Sequence, residues 1–184
     1  QVFARKNATP TGSLVTVMPP VITRLPQIRF LLAVTTIASG AATAAPFETL
    51  LYPGSMATVA SDIDGGIVVG SWDDTAGNRS GFIYDRGTAT WQNFSHPNGP
   101  AYTSLTGLDG NRMIGQYRNP GEYHGFVYEA GNWTTIDFPG SNYTLPWKIE
   151  GDVVVGFYEG AGGFGSEHAF THNLVTGEWK SFDV

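Results

Sequence analysis

Apolar and polar positions in this chain alternate with the period of a strand rather than that of a helix. The stretch Trp133-Thr134-Thr135-Ile136-Asp137-Phe138 switches character at most steps, as a half-buried strand does, and Gly81-Phe82-Ile83-Tyr84, rich in β-branched and aromatic residues, is read as strand as well. Two runs are apolar on consecutive residues, Ile67-Val68-Val69 and Val153-Val154-Val155. Such runs predict strands covered on both faces. Between the runs stand acidic-Gly pairs, Asp64-Gly65, Asp109-Gly110 and Glu150-Gly151. Gly accepts positive φ without strain, so these pairs predict tight hairpin turns.

The pattern repeats. Units open at Phe47, Trp91 and Trp133, and a fourth opening stands at Trp179, giving spacings of 44, 42 and 46 residues. Each unit has Pro six positions after its opening aromatic (Pro53, Pro97, Pro139). An acidic-Gly turn follows, then a strand closing on Gly-x-aromatic at Trp72, Tyr117 and Tyr158, a loop of variable length, and a further strand. The units span 47–90, 91–132 and 133–178, with an extra strand over 179–184. Four strands in 42–46 residues is the arithmetic of a β-propeller blade. Three such units also make a β-trefoil, which is the alternative. The direct run of each unit into the next Trp strand, and the extra strand at the end, favour the propeller. Regrouped as the last three strands of one unit plus the first of the next, the chain gives three blades and leaves residues 47–52 as an unpaired strand. Such an edge invites association with a second copy.

Composition narrows the class. Charged residues are 14% and aromatic residues 13%, with 24 glycines in 184 residues. This excludes a helical bundle and a coiled coil. Cysteine is absent, which excludes disulfides and thiolate chemistry. Beyond residue 45 the charge is 6 − 16 = −10, a poor match for a phosphate backbone, so no nucleic-acid partner is expected. From Met18 the chain has Arg24 and Arg29, an apolar run over 30–40 and an Ala42-Thr43-Ala44 site. This is the layout of a secretory signal peptide over 18–44, preceded by an upstream, non-native leader over 1–17. The β-repeat domain is then 45–184, secreted or periplasmic in a bacterium, with no membrane association after cleavage.

The phrases Gly131-Asn132-Trp133-Thr134-Thr135-Ile136-Asp137-Phe138-Pro139-Gly140, Gly151-Asp152-Val153-Val154-Val155-Gly156-Phe157-Tyr158, His124-Gly125-Phe126-Val127-Tyr128 and His168-Ala169-Phe170 resemble the bacterial extracellular HAF-repeat family over 47–184. The resemblance implies a secreted, propeller-like repeat protein. This chain departs from the family pattern in having three units, in Ser80 where His stands in the other units, and in Trp147-Lys148.

The chemistry-bearing positions recur with the repeat. Trp72, Tyr117 and Tyr158 precede the variable loops, followed at once by Asp73, Arg118 and Glu159. An aromatic face beside polar side chains can stack on a sugar and accept its hydroxyls. His124 and His168 share one phase of the repeat; they read as ligand-binding positions, as the imidazoles of a metal site completed by a carboxylate such as Glu122 or Glu167, or as hydrogen-bonding partners of a neighbouring strand in each blade. Asp62, Asp64 and Asp73 faintly suggest a calcium loop, yet Asp64 recurs as a turn residue. No G-x-S-x-G, H-E-x-x-H or phosphate-binding loop occurs. The expected function is a non-enzymatic binding or interaction module for carbohydrate or protein, with no cofactor and no metal. The alternatives are a hydrolase using loop carboxylates such as Asp73 and Glu159, and a structural unit assembling through open strand edges.

Overall fold

The computed structural model describes residues 48–160 and 165–182. The leader and signal peptide expected over 1–44 lie outside the described residues, as does Phe47. The described chain forms twelve strands and no helix. They make three four-stranded antiparallel sheets, each an open meander in chain order. The first sheet holds β1 (Ala57–Asp64), β2 (Ile67–Asp73), β3 (Arg79–Asp85) and β4 (Thr90–Phe94). The second holds β5 (Thr103–Asp109), β6 (Arg112–Asn119), β7 (Glu122–Glu129) and β8 (Asn132–Ile136). The third holds β9 (Thr144–Glu150), β10 (Val153–Glu159), β11 (Glu167–Asn173) and β12 (Trp179–Phe182). Each Trp strand that opens a sequence unit therefore closes the previous sheet.

The hairpin turns are where the acidic-Gly pairs place them. Asp64 pairs with Ile67, Asp109 with Arg112 and Glu150 with Val153. Each leaves a two-residue turn whose first residue, Gly65, Gly110 or Gly151, has φ of 55°, 58° or 54°, as a glycine-first hairpin requires. Every first strand carries a bulge near its middle.

The sheets pack face to face. Ile67, Val69, Ile83 and Phe94 of the first meet Leu105, Leu108, Tyr117 and Phe126 of the second. On its other side the second sheet presents Ile114, Val127 and Ile136 to Ile149, Val154, Tyr158 and Phe170 of the third. At the hairpin end the sheets are also clasped. The Asp64 carboxylate accepts a hydrogen bond from Gly110 N–H of the next sheet at 2.7 Å, and Asp109 accepts one from Gly151 N–H at 2.6 Å. The acidic member of the first two pairs thus serves the neighbouring sheet, a role the turn alone does not reveal. We expect Asp109→Ala to lower stability by about 1 kcal/mol in urea unfolding. Glu150→Ala should stay within about 0.5 kcal/mol in dilute solution, because the Glu150 side chain has no hydrogen-bond partner among the described residues.

Two expectations are corrected here. The run Ile67-Val68-Val69 is covered on both faces, with Val68 and Val69 buried. Its counterpart Val153-Val154-Val155 is covered on one face only: Val154 is buried, whereas Val153 and Val155 are each 39% exposed. The reason is that no described sheet follows the third. The leftover segment is also not a strand over its described residues, 48–52. Leu50 and Tyr52 instead lie on Val68, Phe82 and Tyr84 at the outer face of the first sheet. That contact buries apolar surface which a free edge strand would leave in water.

Candidate functional site

The aromatic positions expected to carry a ligand form a repeated ring stack. The residue before each recurrent Pro lies flat on the Gly-x-aromatic ring of the following strand pair. Tyr52 stacks on Trp72 at 4.3 Å, His96 on Tyr117 at 3.7 Å and Phe138 on Tyr158 at 3.6 Å. The edge of the next Trp closes the corner: Trp91 meets Tyr52, Trp133 meets His96 and Trp179 meets Phe138, with ring planes at 79–81°. The backbone N–H of Tyr52, His96 and Phe138 donates to the hydroxyl of Thr58, Thr103 and Thr144, each at 2.9 Å. One anchor is therefore made three times.

His124 and His168 belong to the same stacks. His124 lies on Tyr117 at 5.0 Å and His168 on Tyr158 at 5.3 Å. Tyr117 is thus held between two imidazoles, and Tyr158 between Phe138 and His168. His124 Nδ1 also meets Asp137 Oδ2 at 2.7 Å, and the other Asp137 oxygen accepts from Gly125 N–H. The structure brings Tyr117 and His124 together, and Tyr158 and His168 together, as packing. Ring faces covered in this way do not present a sugar platform.

The polar positions divide. Asp73 is held by Arg79 through two hydrogen bonds at 2.7 and 2.9 Å. The guanidinium keeps its carboxyl below the usual carboxylate range. Asp62 also stays below that range. Burial works against its charge, but the Lys148 ammonium at 2.8 Å and the Leu108 N–H outweigh burial. Lys148, which departs from the repeat pattern, therefore ties β9 to β1. Asp62, Asp64 and Asp73 share no partner: Asp62 holds Lys148 and the Leu108 N–H, Asp64 the Gly110 N–H and Asp73 Arg79. Among the described residues no group of three His, Asp or Glu side chains converges as metal ligands do. Glu159 is buried at the end of β10, where its backbone N–H donates to Tyr143 and its carbonyl accepts from Ser141 Oγ.

Arg118 is exposed. It borders a cleft of about 490 Å³ at the end of the first two sheets where the inter-sheet connection and the variable loops gather. The polar lining is Asn78, Asn98, Tyr102, Arg118 and Asn119. Arg79 stands over the Tyr102 ring at 5.6 Å and Arg118 over the Tyr123 ring at 5.8 Å. Tyr102 and Tyr123 meet edge to face at 5.4 Å, and Tyr123 meets Tyr143 at 4.8 Å. This ladder of arginine and tyrosine was not singled out from sequence. Its signal was present in the aromatic immediately before Thr103 and Thr144, where the first unit has Ala57. No family model matches this chain, and no curated protein matches it.

Proposed function

We propose that the chain is a non-enzymatic binding module of the bacterial exterior, built from propeller-like blades, that takes a neutral polyhydroxylated ligand in the cleft beside Arg118. The HAF-repeat resemblance, the signal-peptide pattern and the three equivalent open sheets support the compartment and the architecture. The observation that carries the ligand class is the cleft lining. In a chain whose net charge beyond residue 45 is 6 − 16 = −10, this cleft has three amides, a tyrosine and one guanidinium, and no carboxylate. Amides donate and accept at once, which matches hydroxyls that do the same. The geometry favours binding over hydrolysis. The best-placed loop carboxylate, Asp73, has both oxygens occupied by Arg79, and a glycosidase needs two carboxyl groups free to act on substrate.

The test is retention on an array of neutral oligosaccharides. Arg118→Ala and Asn98→Ala should each weaken binding by about tenfold, the loss of one hydrogen-bonding group, with the far-ultraviolet spectrum unchanged. His124→Ala should weaken it less. Equal loss in all three variants, or no retention by the wild type, rejects the reading.

A further inference from the structure

The third sheet presents to solvent the face that the first and second sheets bury. On it Val153 and Val155 are 39% exposed, and Phe182 is 51% exposed. By strand register Val153, Val155 and Phe182 correspond to Ile67, Val69 and Phe94, which pack the first sheet on the second. Nothing among the described residues covers them. On the opposite side of the stack Ile63, the counterpart of buried Leu108 and Ile149, is 52% exposed. Ala60, the counterpart of buried Leu105 and Pro146, is exposed as well.

We propose that the open face of the third sheet docks on the open face of the first sheet of a second copy, head to tail, repeating the packing between sheets. Two details fit a second copy in particular. Between sheets, a glycine of the third strand accepts a bulky residue from the next first strand. A Cβ at Gly81 would lie 3.2 Å from Leu105, and one at Gly125 would lie 2.7 Å from Pro146. In the third sheet that position is Ala169, which already carries a Cβ. It therefore needs a smaller partner, and Ala60 supplies one. The clasp also has its next members in place. Glu150 stands where Asp64 and Asp109 accept from the following glycine N–H, and Gly65 stands where Gly110 and Gly151 donate.

One contact has to yield. Leu50 occupies on the first sheet the place that Phe94 takes between the first and second, so Phe182 of the docking copy competes with Leu50 and displaces it. The interface is heterologous, and either closes into a ring or runs on.

The chain has no cysteine, so engineered cysteines report only this contact. Full-length A60C and A169C are mixed and oxidised, then resolved without reductant. The expected result is a covalent product in the mixture and none in either variant alone, because only partners at the inter-sheet spacing meet disulfide geometry. The double variant A60C/A169C should give a closed dimer or a ladder. Val155→Asp in the A169C chain should abolish the product without changing the circular dichroism spectrum, and Leu50→Gly in the A60C chain should raise its yield at limiting concentration. A wild-type chain that sediments as a monomer at millimolar concentration overturns the proposal. So does a dimer by mass that forms no mixed disulfide, or one in which A60C links to itself.

Discussion

Gly115→Val is expected to lower the thermal midpoint by about 10 °C or more, a loss of about 3 kcal/mol or more. The bulge in β5 turns the Ser104 carbonyl against Gly115, and the Phe126 ring lies across it, so an added Cβ would collide with both. The same arrangement recurs at Gly70 under Phe82, with the Val59 carbonyl, and at Gly156 under Phe170, with the Leu145 carbonyl. The three rings are fully buried. They cover the backbone that the glycines expose, so each cross-strand glycine–phenylalanine pair is a single packing unit. Gly121→Ala is the control. Gly121 has φ of 89° with open space around it, so the change costs only backbone strain, about 1 kcal/mol and a few degrees. Calorimetry of the two variants separates collision from strain. Equal shifts would reject the packing account.

His96→Phe is expected to remove much of the protein's acid sensitivity. His96 is buried against Tyr117, Phe126 and Trp133, and its Nδ1 accepts from Asn98 N–H at 3.1 Å. Burial, with a smaller contribution from the charge of nearby His124, pushes its pKa down to about 4. A histidine whose folded pKa lies below the unfolded value of about 6.5 is stabilising while neutral. That contribution is complete above pH ~6.5 and is lost as the pH falls toward 4, amounting to about 3 kcal/mol. Phe138 fills the equivalent place in the third sheet with the same stack, so phenylalanine fits. Urea midpoints at pH 7 and pH 4 should diverge for the wild type and diverge less for the variant. His172, also depressed by burial, leaves a residual slope. Because Asn98 lines the cleft, ligand affinity should fall along with His96 protonation. An unchanged pH slope in His96→Phe would contradict the assignment.

The repeat, the strand period and the hairpin turns were legible because each is a local property of a few neighbouring residues. The offset that joins Trp91, Trp133 and Trp179 to the preceding sheet was legible too, from the extra strand at the end. The destination of the recurrent aromatics was not. Trp72, Tyr117 and Tyr158 read either as a ligand platform or as packing between blades, and the answer depends on Tyr52, His96 and Phe138. Those three share little chemistry as letters, and they are equivalent only by standing before Pro53, Pro97 and Pro139. The open face of the third sheet was hidden for a related reason. Val153-Val154-Val155 reads like Ile67-Val68-Val69, and only the order of the sheets says which run has a neighbour on both sides. The cleft was half legible, since Arg118 was marked by its phase in the repeat. Asn78, Asn98 and Asn119 come from two loops and one strand end with no common pattern, and they meet only when the sheets stack.

The most direct test of the binding account is a nuclear magnetic resonance titration of the full chain with soluble neutral oligosaccharides, following the backbone amides. The account predicts saturable shifts at Asn78, Asn98, Tyr102, Arg118 and Asn119 that disappear in Arg118→Ala. Shifts gathered instead at the hairpin end, around Gly65, Gly110 and Gly151, or no shifts across the series, would contradict it.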